Sequence, residues 1–112
     1  MKNVIIVEAV RTPIGKLGGS LINETSDKLG AHVLNSVIQT SKIKKEDVDE
    51  VILGQAKQSA DQSNLARLAT LLAEYPLEVP GYTIHRQCGS GLQAILNGAM
   101  QIQTENANVV VV

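Results

Sequence analysis

The chain has 112 residues, 44% of them hydrophobic, which is typical of one globular domain or part of one and excludes a disordered segment. Its 10 basic and 11 acidic residues are mixed along the chain and give a formal net charge of -1, so no basic patch indicates nucleic acid or an anionic membrane as a partner. The single cysteine excludes an internal disulfide, and Met1-Lys2 leads into a short apolar run without a signal-type cleavage site, which predicts a cytoplasmic protein. No apolar stretch approaches the roughly 20 residues that cross a bilayer.

The first part of the chain contains a predicted strand and a predicted helix. Residues 4–10 form a near-continuous apolar, β-branched run that ends at Arg11-Thr12-Pro13, which predicts a strand buried on both faces. A helix is predicted over residues 26–41, with Thr25 or Ser26 as its amino-terminal cap. Its apolar residues share one stripe: Leu29, Val33, Leu34, Val37 and Ile38.

The rest of the chain alternates short apolar runs with helical patterns. Strands are predicted at residues 51–54, 82–85 and 109–112, and helices at residues 64–74 and 91–103. Strands that alternate with helices of about 10 to 15 residues indicate parallel βαβ units. With residues 4–10 as the first strand, the sequence predicts an α/β fold with the order βαβαβαβ and a mainly parallel sheet.

Two features predict that these residues form part of a larger domain. The chain ends within the apolar run 109–112, although parallel strands are normally covered on both faces. The predicted helix 91–103 is apolar around most of its circumference and leaves only a narrow polar row of Gln93, Asn97 and Gln101, which is typical of a helix inside a larger protein. We therefore expect residues 1–112 to be a partial domain, truncated before its last strand.

Cys88 is the candidate catalytic residue. It lies between the predicted strand 82–85 and the predicted helix 91–103, and Gly89, Ser90 and Gly91 follow it. A helix amino terminus presents unpaired N–H groups and the positive end of the helix dipole, which favour a thiolate and an oxyanion. The glycines leave room for a substrate carbonyl to approach the backbone. Two alternatives are an inert packing cysteine and a redox-sensing thiol, although the chain contains no resolving cysteine.

Several segments of the chain carry a resemblance to one enzyme family. Residues 86–95 read RQCGSGLQAI, residues 7–16 read VEAVRTPIGK and residues 47–54 read DVDEVILG. The first segment resembles the nucleophile signature of thiolases, the second is similar to their first strand and loop, and the third to their second strand. Asn64, Ala66 and Arg67 match the start of the second thiolase helix, so the similarity covers essentially the whole chain. The chain departs from the thiolase pattern at His85, Gln87 and Leu65, where asparagine, a small or apolar residue, and proline are usual.

The resemblance implies a Claisen-type acyl transfer that needs no cofactor. Cys88 would take an acyl group from acyl-CoA, its N–H would help to hold the oxyanion, and a second acyl-CoA or CoA would form or cleave the carbon-carbon bond. Two histidines and a second cysteine complete the family's site and belong to its later part, so we expect this acyltransferase segment to be inactive alone. The alternative is a non-catalytic truncated or split-chain interaction module that pairs with a complementary thiolase half. Ketoacyl synthases fit less well, because different residues surround their cysteine.

The remaining candidate residues are expected to be structural. His32 lies in the middle of the predicted helix 26–41, and His85 lies three residues before Cys88, an odd spacing that puts strand side chains on opposite faces. Arg11 and Arg67 could contact CoA phosphates on charge alone, but surface arginines usually hold loops and helix ends. The resemblance further implies that the strand at residues 82–86 lies at a sheet edge and pairs across a dimer, which makes a homo-oligomer the expected assembly.

Overall fold

A three-stranded parallel sheet organises the computed structural model, which describes residues 1–112. Its strands are β1 (Glu50–Gly54), β2 (Gly81–Ile84) and β3 (Val110–Val111), and β1 lies between the other two. Helix α1 (Ser26–Ser41) precedes the sheet, α2 (Leu65–Leu72) connects β1 to β2, and α3 (Ser90–Gln103) connects β2 to β3. Short 3-10 helices at Lys45–Asp47 and Ala60–Gln62 lie in the loops before and after β1. This arrangement confirms the predicted α/β class.

The core lies on both faces of β1. Val51 belongs to an apolar cluster with Leu34 of α1 and Ala66 of α2, whereas Ile52 points to the opposite face, which α3 covers. Both β1 side chains are 0% exposed. Because the chain has no Phe or Trp, small aliphatic side chains and Tyr75 fill the cluster, so helices and sheet come close together.

Helix α3 packs against the sheet through small residues. Ser90, Ala94 and Gly98 recur every four residues, share one face of the helix and are buried. A methyl group added at Gly98 would lie 2.8 Å from the Val112 side chain, which shows how closely the helix approaches the end of the chain. The other side of α3 presents large apolar side chains, as its composition predicts: Leu92, Ile95, Leu96 and Met100 are between 45% and 64% exposed.

The prediction of a strand at residues 4–10 is wrong. This segment makes no backbone hydrogen bond to the sheet, and its side chains Ile5, Ile6 and Val7 are 59% to 80% exposed. It lines an open apolar cavity of about 310 Å³ together with α1, α3 and β3, and Lys2 Nζ donates to Asn108 Oδ1 at 2.8 Å. An apolar run predicts that a segment will lie against other apolar residues, but a strand also needs a paired neighbour. The two-residue β3 pairs only with β1.

The predicted amino-terminal cap of α1 also differs from the structure. Thr25 occupies the cap position, but its side chain makes no capping hydrogen bond to the helix backbone. A side-chain hydrogen bond from Thr25 instead lowers the pKa of the Asp27 carboxyl. Helix α1 ends where Lys42 adopts a left-handed φ of 61° and its N–H donates to the Ile38 carbonyl.

The position of β2 agrees with its prediction. It pairs in parallel with β1 alone and therefore forms one edge of the sheet. None of the three helices has the length and apolar character needed to span a membrane.

Candidate active site

Cys88 lies at the edge of the sheet where the parallel strands β1 and β2 end. Gly54 and Ile84 are paired at this edge, and the Gln55 N–H donates to the Ile84 carbonyl at 2.9 Å. Four residues after Ile84 the chain reaches Cys88, and α3 begins two residues later. The Cys88 side chain is exposed and free of any disulfide. The predicted strand-to-helix junction is therefore present, and crevices at the carboxyl ends of parallel strands are common ligand sites in α/β proteins.

A tight turn over residues 86–90 presents the cysteine, and we call it the Cys88 turn. Two backbone bonds close it, from the Gly89 N–H to the Arg86 carbonyl at 3.0 Å and from the Ser90 N–H to the Gln87 carbonyl at 3.2 Å. The Ser90 side chain adds two more: its Oγ accepts from the Arg86 N–H at 2.9 Å and donates to the Gln87 carbonyl at 2.7 Å. Since Ser90 is only 4% exposed, these bonds are shielded from water.

Gln87 carries backbone strain next to the cysteine. Its φ of 48° lies in the left-handed region, which residues other than glycine, asparagine and aspartate seldom adopt. The other three non-glycine residues with positive φ, Lys42, Glu74 and Glu105, all follow the ends of helices, where this conformation is common. The Gln87 N–H donates to Nδ1 of His85 at 3.3 Å, so the histidine helps to hold the turn. Strain of this kind persists where surrounding contacts over-determine it, and it clusters at functional sites.

Several backbone N–H groups at Cys88 and at the start of α3 have no acceptor within the chain. The amides of Cys88, Gly91 and Leu92 take part in none of the backbone hydrogen bonds. The last two belong to the first turn of the 14-residue helix α3, whose N–H groups and dipole give this end a positive potential. In such an arrangement an exposed thiol can attack a carbonyl carbon, and the free amide N–H groups can bind the negatively charged oxygen that forms.

Gly54 at the end of β1 makes this placement possible. A Cβ added to Gly54 would lie 2.5 to 2.6 Å from the backbone of Ser90 and Gly91. The end of β1 therefore touches the first turn of α3 backbone to backbone, which only glycine permits. A glycine that ends an apolar strand was visible in the sequence, but its contact with the first turn of α3 was not.

The polar row on α3 links the helix to the strands beneath it. The Arg86 guanidinium donates to Gln93 Oε1, Gln93 Nε2 donates to Asn97 Oδ1 at 2.8 Å, and Asn97 Nδ2 donates to the Tyr82 hydroxyl at 3.3 Å. Further along the helix, Gln101 Nε2 donates to Glu50 Oε2 at 3.1 Å, and burial raises the pKa of this glutamate. These bonds fix how α3 is rotated on the sheet and therefore where its amino terminus lies.

A second polar group anchors β2, the strand that leads to Cys88. Thr83 Oγ1 donates to Asn64 Oδ1 at 2.8 Å and accepts from the Ala66 N–H at 3.0 Å. Asn64 caps α2 through the Arg67 N–H and also donates to the Gly81 carbonyl at 2.9 Å. Sequence reasoning identified Asn64 at the start of the helix, whereas nothing in the local pattern distinguished Thr83.

The other candidate residues do not join this site. Arg67 donates to the carbonyls of Val79 and Leu77, which precede β2 and so lie toward the opposite end of the strand from Cys88. Arg11 donates to the neighbouring Thr12 carbonyl, and His32 is exposed on α1. No three acidic, histidine or cysteine side chains lie close enough to hold a metal ion together.

Comparisons with known proteins agree on one family. Residues 4–112 match the model of the thiolase N-terminal domain. An acetyl-CoA acetyltransferase of Cupriavidus necator is 41% identical over 111 residues, covering 99% of this chain and 28% of the relative. A 3-ketoacyl-CoA thiolase of Photorhabdus laumondii is 36% identical over 115 residues, covering 100% of this chain and 30% of the relative.

The fold comparison gives the same result. The crystal structure of the Bacillus anthracis acetyl-CoA acetyltransferase superimposes with a TM-score of 0.92 and 48% identity, and the match covers 95% of this chain and 27% of that one. The chain thus spans between a quarter and a third of the length of these relatives. The family match, the sequence similarity and the structural similarity together show that the chain belongs to the thiolase family, whose N-terminal domain it matches.

Proposed function

We propose that this chain is the acyl-accepting segment of a thiolase, with Cys88 as the nucleophile. The observation that carries the proposal is the exposed Cys88 thiol beside unbonded amide groups at the start of α3. The names of the relatives, acetyl-CoA acetyltransferase and 3-ketoacyl-CoA thiolase, point to acyl-CoA as the substrate class.

The chemistry is a transfer between two sulfur atoms. The Cys88 thiolate attacks the thioester carbonyl carbon of acyl-CoA, and the carbonyl oxygen becomes negatively charged. The Cys88 N–H and the positive end of α3 stabilise this oxyanion. When the carbonyl re-forms, the bond to the CoA sulfur breaks, CoA leaves as a thiolate that takes up a proton, and the acyl group stays on Cys88 as a thioester.

The carbon-carbon bond step requires groups that the Cys88 turn does not provide. It needs a base to activate a second acyl-CoA, or a proton donor in the reverse direction. His85 is the histidine nearest in sequence, and its Nδ1 accepts the Gln87 N–H. We therefore propose that the complete reaction depends on residues outside these 112. We also propose that the acyltransferase is cytoplasmic, as the single cysteine favours.

Acyl transfer from acetyl-CoA to the purified chain tests this proposal. Intact-mass spectrometry should show the gain of one acetyl group, and peptide mapping should locate it on Cys88. Cys88→Ala should carry no acetyl group, and Cys88→Ser should react far more slowly, because an alkoxide is much harder to form than a thiolate. Acetylation at other residues, or none at all, contradicts the proposal.

A second candidate function is a non-catalytic module that pairs with a complementary thiolase half or with another copy of the chain. The observation that favours it is the exposed apolar side of α3, defined by Leu92, Ile95, Leu96 and Met100. Contiguous apolar surface of this kind marks interaction sites. A chain that binds such a partner while Cys88 stays unmodified by acetyl-CoA would support this function over the first.

A further inference from the structure

The Ser90 hydroxyl joins the two sides of the Cys88 turn. It accepts the Arg86 N–H, which has no other acceptor, and it donates to the Gln87 carbonyl. The side chain thus connects the two residues before Cys88 to the first residue of α3. It is almost fully buried, so water has little access to replace either bond.

The bonds to the Gln87 carbonyl have a direct consequence for Cys88. The Gln87 carbonyl and the Cys88 N–H belong to one planar peptide unit and point in opposite directions. Two donors of Ser90, its hydroxyl at 2.7 Å and its N–H at 3.2 Å, hold that carbonyl. They therefore also fix the direction of the Cys88 N–H, the donor proposed for the oxyanion.

The strain at Gln87 explains why such a restraint is needed. A residue with a φ of 48° tends to relax to negative values unless its neighbours hold it in place. Relaxation at Gln87 would rotate the Gln87-Cys88 peptide and with it the Cys88 N–H. From this geometry we propose that Ser90 is a positioning residue that aims the Cys88 amide and thiol for acyl transfer, an inference that rests on the acyl-accepting role of Cys88.

The test compares two reactions of the same thiol. Alkylation by iodoacetamide needs an accessible thiolate and creates no oxyanion, whereas acetylation by acetyl-CoA needs both. In Ser90→Ala we expect acetylation of Cys88 to slow by at least about tenfold, because losing an oxyanion donor typically costs about 100-fold or more. Alkylation should change by less than about twofold, since the thiol stays exposed at the start of α3.

Two variants serve as controls. Ser90→Thr keeps the hydroxyl and should retain acetylation within about threefold. Ser36→Ala removes a hydroxyl that bonds the His32 carbonyl within α1 and should change neither rate. Unchanged acetylation in Ser90→Ala, or an equal loss of acetylation and alkylation, overturns the positioning role.

Amide hydrogen exchange of the unmodified chain keeps the inference testable if Ser90→Ala does not fold. The Arg86 amide should exchange slowly, since Ser90 Oγ is its acceptor, and the Cys88 amide should exchange fast. An unprotected Arg86 amide contradicts the role of Ser90. Failure of the unmodified chain to accept acetyl at all is a different result, which overturns the acyl-accepting function itself and the inference that rests on it.

Discussion

At the scale of single residues, His85 shows how a departure from the family pattern keeps a local contact. Thiolases usually have asparagine at this position, and an asparagine Oδ1 can accept the N–H two residues ahead in a local turn. In this chain Nδ1 of His85 accepts the corresponding N–H of Gln87. The geometry supports a structural role for His85 in the turn rather than that of a base for Cys88.

Substitution of His85 separates these two roles. His85→Asn should leave the alkylation and acetylation rates of Cys88 within about twofold, because the acceptor is retained. His85→Ala removes the acceptor and should slow acetylation more than alkylation. Rates measured by mass spectrometry at one pH suffice. A large loss of both rates in His85→Asn would instead identify the histidine as a base.

Sequence reasoning identified Cys88 as a candidate but did not identify the residues that hold it in position. The cysteine lies between two periodic patterns and is followed by glycines, so local rules locate it. Gly54 and Thr83 contact partners that are distant in the sequence, and the contacts of Ser90 depend on the exact shape of a turn. Their roles become visible only when strand ends and helix starts are brought together.

At the scale of secondary structure elements, periodicity predicted most of the fold correctly. The three helices and β1 to β3 lie within one or two residues of their predicted bounds, because each has a strong pattern and a clear start or stop. The exception is residues 4–10, whose composition fits a strand but which have no hydrogen-bonded neighbour. Composition reports the tendency to be buried, whereas pairing depends on the rest of the sheet.

The contact of β1 with α3 gives a prediction about stability. Gly54→Ala should lower the free energy of unfolding by about 1–3 kcal/mol, because the new methyl group would overlap the backbone of Ser90 and Gly91. The matched control is Gly91→Ala, since a Cβ there meets no atom within 4 Å. Its stability should change by no more than about 1 kcal/mol, with a gain favoured by helix propensity. Urea titrations of both variants decide the matter, and equal effects would contradict the proposed close contact.

Tyr75 connects the end of α2 to α1 and predicts a pH dependence. Its hydroxyl donates to the Leu34 carbonyl at 2.9 Å, and burial raises the pKa of Tyr75 to about 12 from the ordinary 10.0. The folded state therefore holds this proton more tightly than the unfolded state. Stability from this group is fully present below pH 10 and is lost as the pH rises through about 12.

The variant Tyr75→Phe isolates this effect. Its free energy of unfolding at neutral pH should be lower by about 1 kcal/mol, because the Leu34 carbonyl loses its donor. It should therefore unfold at a lower urea concentration. The difference between the two chains should shrink as the pH rises from 10 towards 12, since only the tyrosine ionises. A difference that stays constant over this interval would contradict burial of a neutral hydroxyl.

At the scale of the whole molecule, many large apolar side chains are exposed. The outer side of α3 and the amino-terminal residues Ile5, Ile6 and Val7 are all more than 40% exposed. Ile95 and the three amino-terminal residues also line the open apolar cavity formed with α1 and β3. Such surfaces favour association with other protein surfaces in water.

We accordingly expect the purified chain to self-associate at micromolar concentrations. Leu96→Lys, which adds a charge to the exposed side of α3, should shift light scattering and sedimentation towards the monomer. His32→Lys adds the same charge to the exposed surface of α1 and should have little effect. A chain that stays monomeric over the whole concentration range and unfolds in one cooperative transition would contradict this expectation.

Thiolysis of acetoacetyl-CoA by the purified chain decides whether acyl acceptance can be separated from the complete reaction. Cys88 should gain an acetoacetyl group by attack on the thioester carbonyl, with CoA as the leaving group, as mass spectrometry of the same sample would show. Cleavage of the carbon-carbon bond releases an acetyl-CoA enolate that needs a proton donor. His32 lies on α1 and His85 holds the turn through its Nδ1, so we expect neither histidine to act as that donor. Production of acetyl-CoA should therefore stay at the rate of Cys88→Ala. Multiple turnovers that depend on Cys88 would contradict the proposal that this segment carries only the acyl-accepting part of the reaction.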